Sequence, residues 1–120
     1  MAEHNALGIK GEKLAKEFLT NKGYDIIESN YRFKHLEIDL IAYDKDELVI
    51  IEVKTRANDF MADAHDTVSQ QKQKHLVKAA NAYIEEKNLD VETRFDIVSV
   101  LIQGHECSVE HIEDAFYPVL

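Results

Sequence analysis

From Asn5 to Lys22, small or apolar residues recur at Leu7, Gly8, Gly11, Ala15, Phe18 and Leu19, the spacing of one helical face. Gly23 follows as a natural stop. The small residues Gly8, Gly11 and Ala15 predict a helix lying close against a flat neighbour. Glu12 is about 100° round from Gly11, at the edge of that stripe rather than in open solvent. Three strand-like runs come next: Tyr24 to Tyr31, Leu36 to Tyr43 and Leu48 to Thr55. The short polar connections Arg32-Phe33-Lys34-His35 and Asp44-Lys45-Asp46-Glu47 predict an antiparallel meander. Residues 57–67 are polar and aperiodic apart from Phe60 and Met61, and read as a loop. Val68 to Lys87 is helical, with Val68, Leu76, Ala79, Ala80, Tyr83 and Ile84 on one face. A fourth strand, Thr93 to Ile102, and a shorter fifth, Cys107 to Ile112, flank the turn Gln103-Gly104-His105. The order αβββαββ predicts an α/β fold, a mixed sheet with helices packed on it.

Length and composition narrow the class. A chain of 120 residues has room for one domain, taken here as 1–120. Its longest aliphatic run, Leu48-Val49-Ile50-Ile51, is far shorter than the ~20 residues of a membrane span. The start, Met1-Ala2-Glu3-His4-Asn5, has neither the basic stretch nor the apolar segment of a secretory signal. A single cysteine, Cys107, makes no internal disulfide and no thiolate zinc site, and reads as a small core or edge residue. The expectation is a cytoplasmic protein.

The net charge of −9 argues at first sight against nucleic acid. Its distribution weakens that argument. From Glu85 onward nine acids face only Lys87 and Arg94, whereas the first 84 residues are nearly balanced at −2. A polyanion can meet the N-terminal two-thirds with the acidic tail turned away. Solubility alone explains the same charge.

Chemistry concentrates on the second and third strands, Leu36-Glu37-Ile38-Asp39-Leu40-Ile41 and Val49-Ile50-Ile51-Glu52-Val53-Lys54. Strand alternation puts Glu37 with Asp39 and Glu52 with Lys54. If the hairpin holds the matching register, Asp39, Glu52 and Lys54 converge where a very apolar strand is ending. Two carboxylates one strand apart suit Mg²⁺, which takes oxygen ligands and keeps several waters; the Val53 carbonyl offers another oxygen. A lysine on the same side helps deprotonate an attacking water or neutralises charge on a phosphate. A cross-strand ion pair, worth ~0–1 kcal/mol when exposed, fits the same spacing.

A resemblance adds to this reading. It rests on Gly11-Glu12, Gly23-Tyr24, Asn30-Tyr31-Arg32, Glu37-Ile38-Asp39-Leu40-Ile41 and Glu52-Val53-Lys54-Thr55-Arg56. Lys72-Gln73-Lys74-His75-Leu76, Arg94-Phe95-Asp96-Ile97-Val98 and Ala115-Phe116 continue it along nearly the whole chain. The sequence resembles the YraN family, small bacterial proteins similar to Holliday-junction resolvases and to the restriction-endonuclease-like PD-(D/E)xK nucleases. That resemblance implies a restriction-endonuclease-like sheet flanked by helices, with a divalent-metal site. It implies that Asp39 and Glu52 bind Mg²⁺ or Mn²⁺, that Lys54 is the catalytic lysine, and that Glu12 completes the acidic cluster. Lys72 stands near the buried face at the start of its helix, as a phosphate ligand or as a snorkelling side chain. Gln71 is a weaker candidate of the same kind.

Two positions depart from the family pattern: Leu36 stands where a glycine is usual, and Phe60-Met61 where a Phe-Gly pair is common. Neither removes a proposed ligand; both bear on substrate approach. Arg32, Lys34 and Arg56 flank the expected site as phosphate contacts or as solvated surface. The six histidines, His4, His35, His65, His75, His105 and His111, show no metal-binding spacing within an element.

Two functions follow. One is a Mg²⁺- or Mn²⁺-dependent endonuclease hydrolysing DNA phosphodiesters, those of a branched, Holliday-junction-like substrate included, with a homodimer to cut both strands. The other is a module that keeps the nuclease fold without turnover and binds nucleic acid or a protein partner.

Overall fold

The computed structural model describes residues 6–57 and 68–117. Its elements follow the expected order αβββαββ. Helix α1 (Ala6–Asn21) buries Gly11, Ala15 and Leu19 on one face. It ends where Gly23 takes a left-handed φ of 103° and the Tyr24 N–H donates to the Leu19 carbonyl at 2.9 Å. The close approach read from its small residues is real: a Cβ at Gly11 would overlap the side chain of Thr55.

Strands β1 (Asp25–Phe33), β2 (Leu36–Asp44) and β3 (Glu47–Arg56) form the antiparallel meander. The strands run further than their polar ends suggested. Arg32 and Phe33, read as connection, pair with Glu37 and Leu36, and only Lys34 and His35 make the turn. Lys34 and Lys45, each with φ 58°, supply the left-handed backbone that closes the two hairpins tightly.

Helix α2 (Gln70–Lys87) starts later than the apolar pattern because Ser69 is its N-cap, its hydroxyl accepting from the Lys72 N–H at 3.1 Å. Left-handed Asn88 ends it. The expected loop falls mostly on residues 58–67, outside the described residues. After α2, β4 (Thr93–Gln103) lies parallel to β3 and β5 (Glu106–Ile112) turns back along β4. The sheet order is β1-β2-β3-β4-β5.

The central strands β2, β3 and β4 are buried on two faces. Leu48 and Ile50 meet Leu76, Ala79, Ala80 and Tyr83 of α2, together with Ile38, Phe95 and Ile97. Val49 and Ile51 meet Ala15 and Leu19 of α1, together with Leu40, Val98 and Val100. The apolar run Leu48–Ile51 is therefore a central strand covered on both sides, the environment that runs of Val, Ile and Leu occupy. No described helix is long and apolar enough to cross a membrane.

Candidate functional site

The site arises where the sheet splits. Pairing between β2 and β3 runs from Asp44↔Glu47 to Leu40↔Ile51. Beyond that pair β2 stays with β1, through Ile38 and Glu37 to Leu36, while β3 stays with β4 as far as Arg56↔Leu101. The two strands diverge, and their ends form a fork. Asp39 and Glu52 stand at its base.

Alternation within β2 breaks at the same place. Ile38 packs on the α2 side and Leu40 on the α1 side, although strict alternation would put them together. Asp39, between them, belongs cleanly to neither face, so the expected shared face with Glu37 does not describe it. Its Oδ2 accepts the backbone N–H of Val53 at 2.8 Å. A strand N–H points in the sheet plane toward its neighbour, so the carboxylate fills the gap where a ladder carbonyl would have been.

Glu52 and Lys54 follow Leu48 and Ile50 on the α2 side, as alternation predicts. Lys72, in the first turn of α2, reaches down to Glu52, with Nζ 3.7 Å from Oε2. The other oxygen, Oε1, is buried and has no hydrogen-bond partner. From α1, Glu12 is half-buried at the edge of the stripe, and its Oε1 accepts from Asn30 Nδ2 at 3.2 Å.

Burial dominates the electrostatics. It pushes the Glu52 carboxyl up to about 7, helped by the charge of Asp39 and by a hydrogen bond between the two side chains, against the pull of Lys72 and Lys54. Burial also raises Asp39, where the Val53 N–H opposes it and the charge of Glu12 adds to it. A carboxyl raised in this way keeps its proton to higher pH than an exposed one, and a divalent cation would displace that proton on binding.

The donor set fits an open Mg²⁺ or Mn²⁺ site rather than a closed cage. Among the described residues no three His, Cys, Asp or Glu side chains already enclose a point. Mg²⁺ needs no such cage: one or two carboxylates with waters and substrate oxygens complete it. Glu52 Oε1 is the buried, unsatisfied acceptor that a cation would satisfy.

The remaining candidates separate. Arg56 Nη1 donates to Ser99 Oγ of β4 at 3.4 Å, beside Lys54 in the register. Arg32 is exposed and lies 3.9 Å from Glu37 rather than at the carboxylate pair. Gln71 and Lys34 are exposed, and Cys107 is exposed on the edge strand β5. His35 and His75 come together from different elements with ring centroids 6.5 Å apart, two imidazoles and no third ligand among the described residues. His4, His65, Phe60 and Met61 lie outside the described residues.

Two features escaped sequence reading. One is Asn30, whose φ of 55° interrupts β1 opposite the site. The other lies away from the fork. Asp96, buried in β4, accepts from Arg94 Nε at 2.9 Å and Nη2 at 3.0 Å and from the Asp114 N–H at 2.9 Å, and sits 2.7 Å from His111 Nε2. Arg94 also bonds Asp44, Glu47 and Tyr24. This network ties the turn after β5 to the turn of the β2–β3 hairpin. A groove of about 780 Å³ nearby is lined by Asp25, Asp46, Asp90 and Glu92 with Lys45, a mostly acidic wall that repels phosphate.

Residues 11–100 match the family described as uncharacterised protein family UPF0102. The chain belongs to the UPF0102 family. It is 50% identical over 117 residues to a UPF0102 protein of Flavobacterium psychrophilum, with 98% of each chain covered. A UPF0102 protein of Christiangramia forsetii is 47% identical over 117 residues, again with 98% of each chain covered. One of Bacteroides thetaiotaomicron is 44% identical over 120 residues, covering 100% of this chain and 99% of the relative. The resemblance to the YraN family is met at this level, UPF0102 being the YraN-like family. The UPF0102 match includes Glu12, Asn30, Asp39, Glu52, Lys54 and Lys72, all within residues 11–100.

Proposed function

We propose that this UPF0102 protein is a divalent-metal-dependent endonuclease of the cytoplasm, hydrolysing phosphodiesters of DNA, branched DNA included. The reading draws on the resemblance to resolvases and restriction-endonuclease-like nucleases. The observation that carries it is the fork: two largely buried carboxylates, one with an unpartnered oxygen, set beside two lysines where the pairing of β2 with β3 stops. Ion pairs that only stabilise a sheet have no need of buried, mutually repelling acids.

Asp39, Glu52 and the Val53 carbonyl would hold Mg²⁺ or Mn²⁺, with Glu12 closing the site from α1. Such an ion supplies charge stabilisation for a phosphoryl group and an activated water nucleophile. Lys54, on the Glu52 side of β3, stabilises the charge that develops on the phosphate and steadies the attacking water. Lys72 pairs with Glu52 until a backbone phosphate draws it away. Arg56 and Arg32 lie on the flanks, where phosphates further along the strand would pass.

The second reading, a binding module that retains the fold, is favoured by the charge of −9 and by a sequence without a dense basic stripe. One experiment separates them. The natural chain and Lys54→Ala are incubated with four-way, flapped and linear DNA in Mn²⁺, and cleavage and binding are followed together. A nuclease cuts at least one substrate, and Lys54→Ala loses cutting while keeping binding. Binding without cutting in both chains supports the module.

A further inference from the structure

Asn30 is in an unusual state for a residue within a strand. Its φ of 55° is left-handed, which asparagine tolerates better than most residues but which no strand requires. The register on either side, Ser29↔Leu40 and Tyr31↔Ile38, sets it opposite Asp39. There its amide is split in use. Nδ2 donates to Glu12 Oε1 at 3.2 Å, whereas Oδ1 is buried and has no partner. A buried amide oxygen is seldom left without a donor, and Glu52 Oε1 at the same site is in the same condition.

We infer that Asn30 is a positioning residue of the metal site: it holds the Glu12 carboxylate over the fork and offers Oδ1 to a water that hydrates the bound cation. The inference rests on the nuclease reading and extends it to a residue that is neither an acid nor a base. Carboxylates that bind metals are commonly oriented by such outer partners. The left-handed backbone serves this end. A strand residue at this register would alternate to one face, and the irregular turn instead brings a neutral amide to a helix carboxylate. A lysine or arginine in its place would also hold Glu12, but would repel the cation.

The test uses Asn30→Gly, which keeps the left-handed backbone without strain and removes only the amide. Mn²⁺ binding is measured by calorimetry on the natural chain and the variant, each first shown to be folded by its thermal transition. The expected result is affinity about 10-fold weaker in Asn30→Gly, the lower end of what loss of an outer-shell partner does. Equal affinity overturns the inference and leaves the nuclease reading standing. No Mn²⁺ binding by the natural chain itself overturns the nuclease reading and this inference with it. A second measurement needs neither metal nor the glycine variant. The side-chain NH₂ resonances of Asn30, followed by NMR in the metal-free protein, shift in Glu12→Ala if the amide holds Glu12; unmoved resonances overturn the inference.

Discussion

Asp39 Oδ2 accepts the Val53 N–H at 2.8 Å, beyond the last residue pair at which β2 and β3 still run together. One carboxylate thereby does two things: it ends a strand ladder and it forms half of an acidic pair with Glu52. The two roles depend on different properties. Ending the ladder needs an oxygen acceptor, and holding a cation needs a negative charge.

Substitutions at Asp39 separate the roles. Asp39→Asn retains an acceptor for the Val53 N–H and removes repulsion from Glu12 and Glu52, so its stability should match or exceed that of the natural chain. Asp39→Ala leaves the N–H without its partner and should lose about 1–3 kcal/mol. Urea unfolding at pH 7.5 measures the difference, and both variants should lose Mn²⁺ binding. Equal losses of stability in the two would mean that the hydrogen bond contributes nothing.

Glu52 makes stability depend on pH in a definite direction. Its carboxyl ordinarily titrates at 4.5 and is raised to about 7 in the fold, mainly by burial. Between those values the folded chain holds a proton that the unfolded chain has released, so stability falls as pH rises through this window. Glu52→Gln removes that dependence. It should unfold at higher denaturant than the natural chain at pH 8, by on the order of 2 kcal/mol, and show little gain at pH 4.5. Urea titrations at the two pH values test this; a variant less stable than the natural chain at pH 8 contradicts it.

Gly11 links packing to the site. Its hydrogen faces Thr55 of β3, and any side chain there would overlap Thr55. Gly11→Ala should therefore push α1 off the sheet and cost roughly 1–3 kcal/mol, despite alanine's better helix propensity. Because Glu12 is the next residue, the displacement should also weaken Mn²⁺ binding. Pairing it with Thr55→Ala, which removes the Thr55 hydroxyl and methyl groups that meet the new side chain first, should recover part of both losses in the same thermal and calorimetric measurements.

Much of this was legible in the chain. The apolar run Leu48–Ile51 marked a central strand, and the small residues of α1 marked a close helix-to-sheet contact. Alternation along β3 placed Glu52 with Lys54, and the stripe of α1 put Glu12 at its edge. These are local periodicities, and local periodicity is what a sequence displays. The point at which β2 parts from β3 is not local, because it depends on which neighbour each strand keeps. For that reason the in-plane position of Asp39 did not follow from alternation. Asn30 was hidden differently: nothing in Ser29-Asn30-Tyr31 announces a left-handed residue inside a strand. Asp96 looked like one more strand acid, since its partners Arg94, His111 and Asp114 converge only once β4, β5 and the following turn are assembled.

The most direct measurement is Mn²⁺ binding by calorimetry at pH 8 for the natural chain, Asp39→Asn and Glu52→Gln. Repeating the natural-chain titration at pH 6 adds the proton linkage. The account expects binding by the natural chain that weakens at pH 6, as the cation competes with the proton that the raised Glu52 carboxyl holds there, and that disappears in both variants. Heats that are the same in all three chains, or absent from the natural chain, would contradict a metal site at the fork.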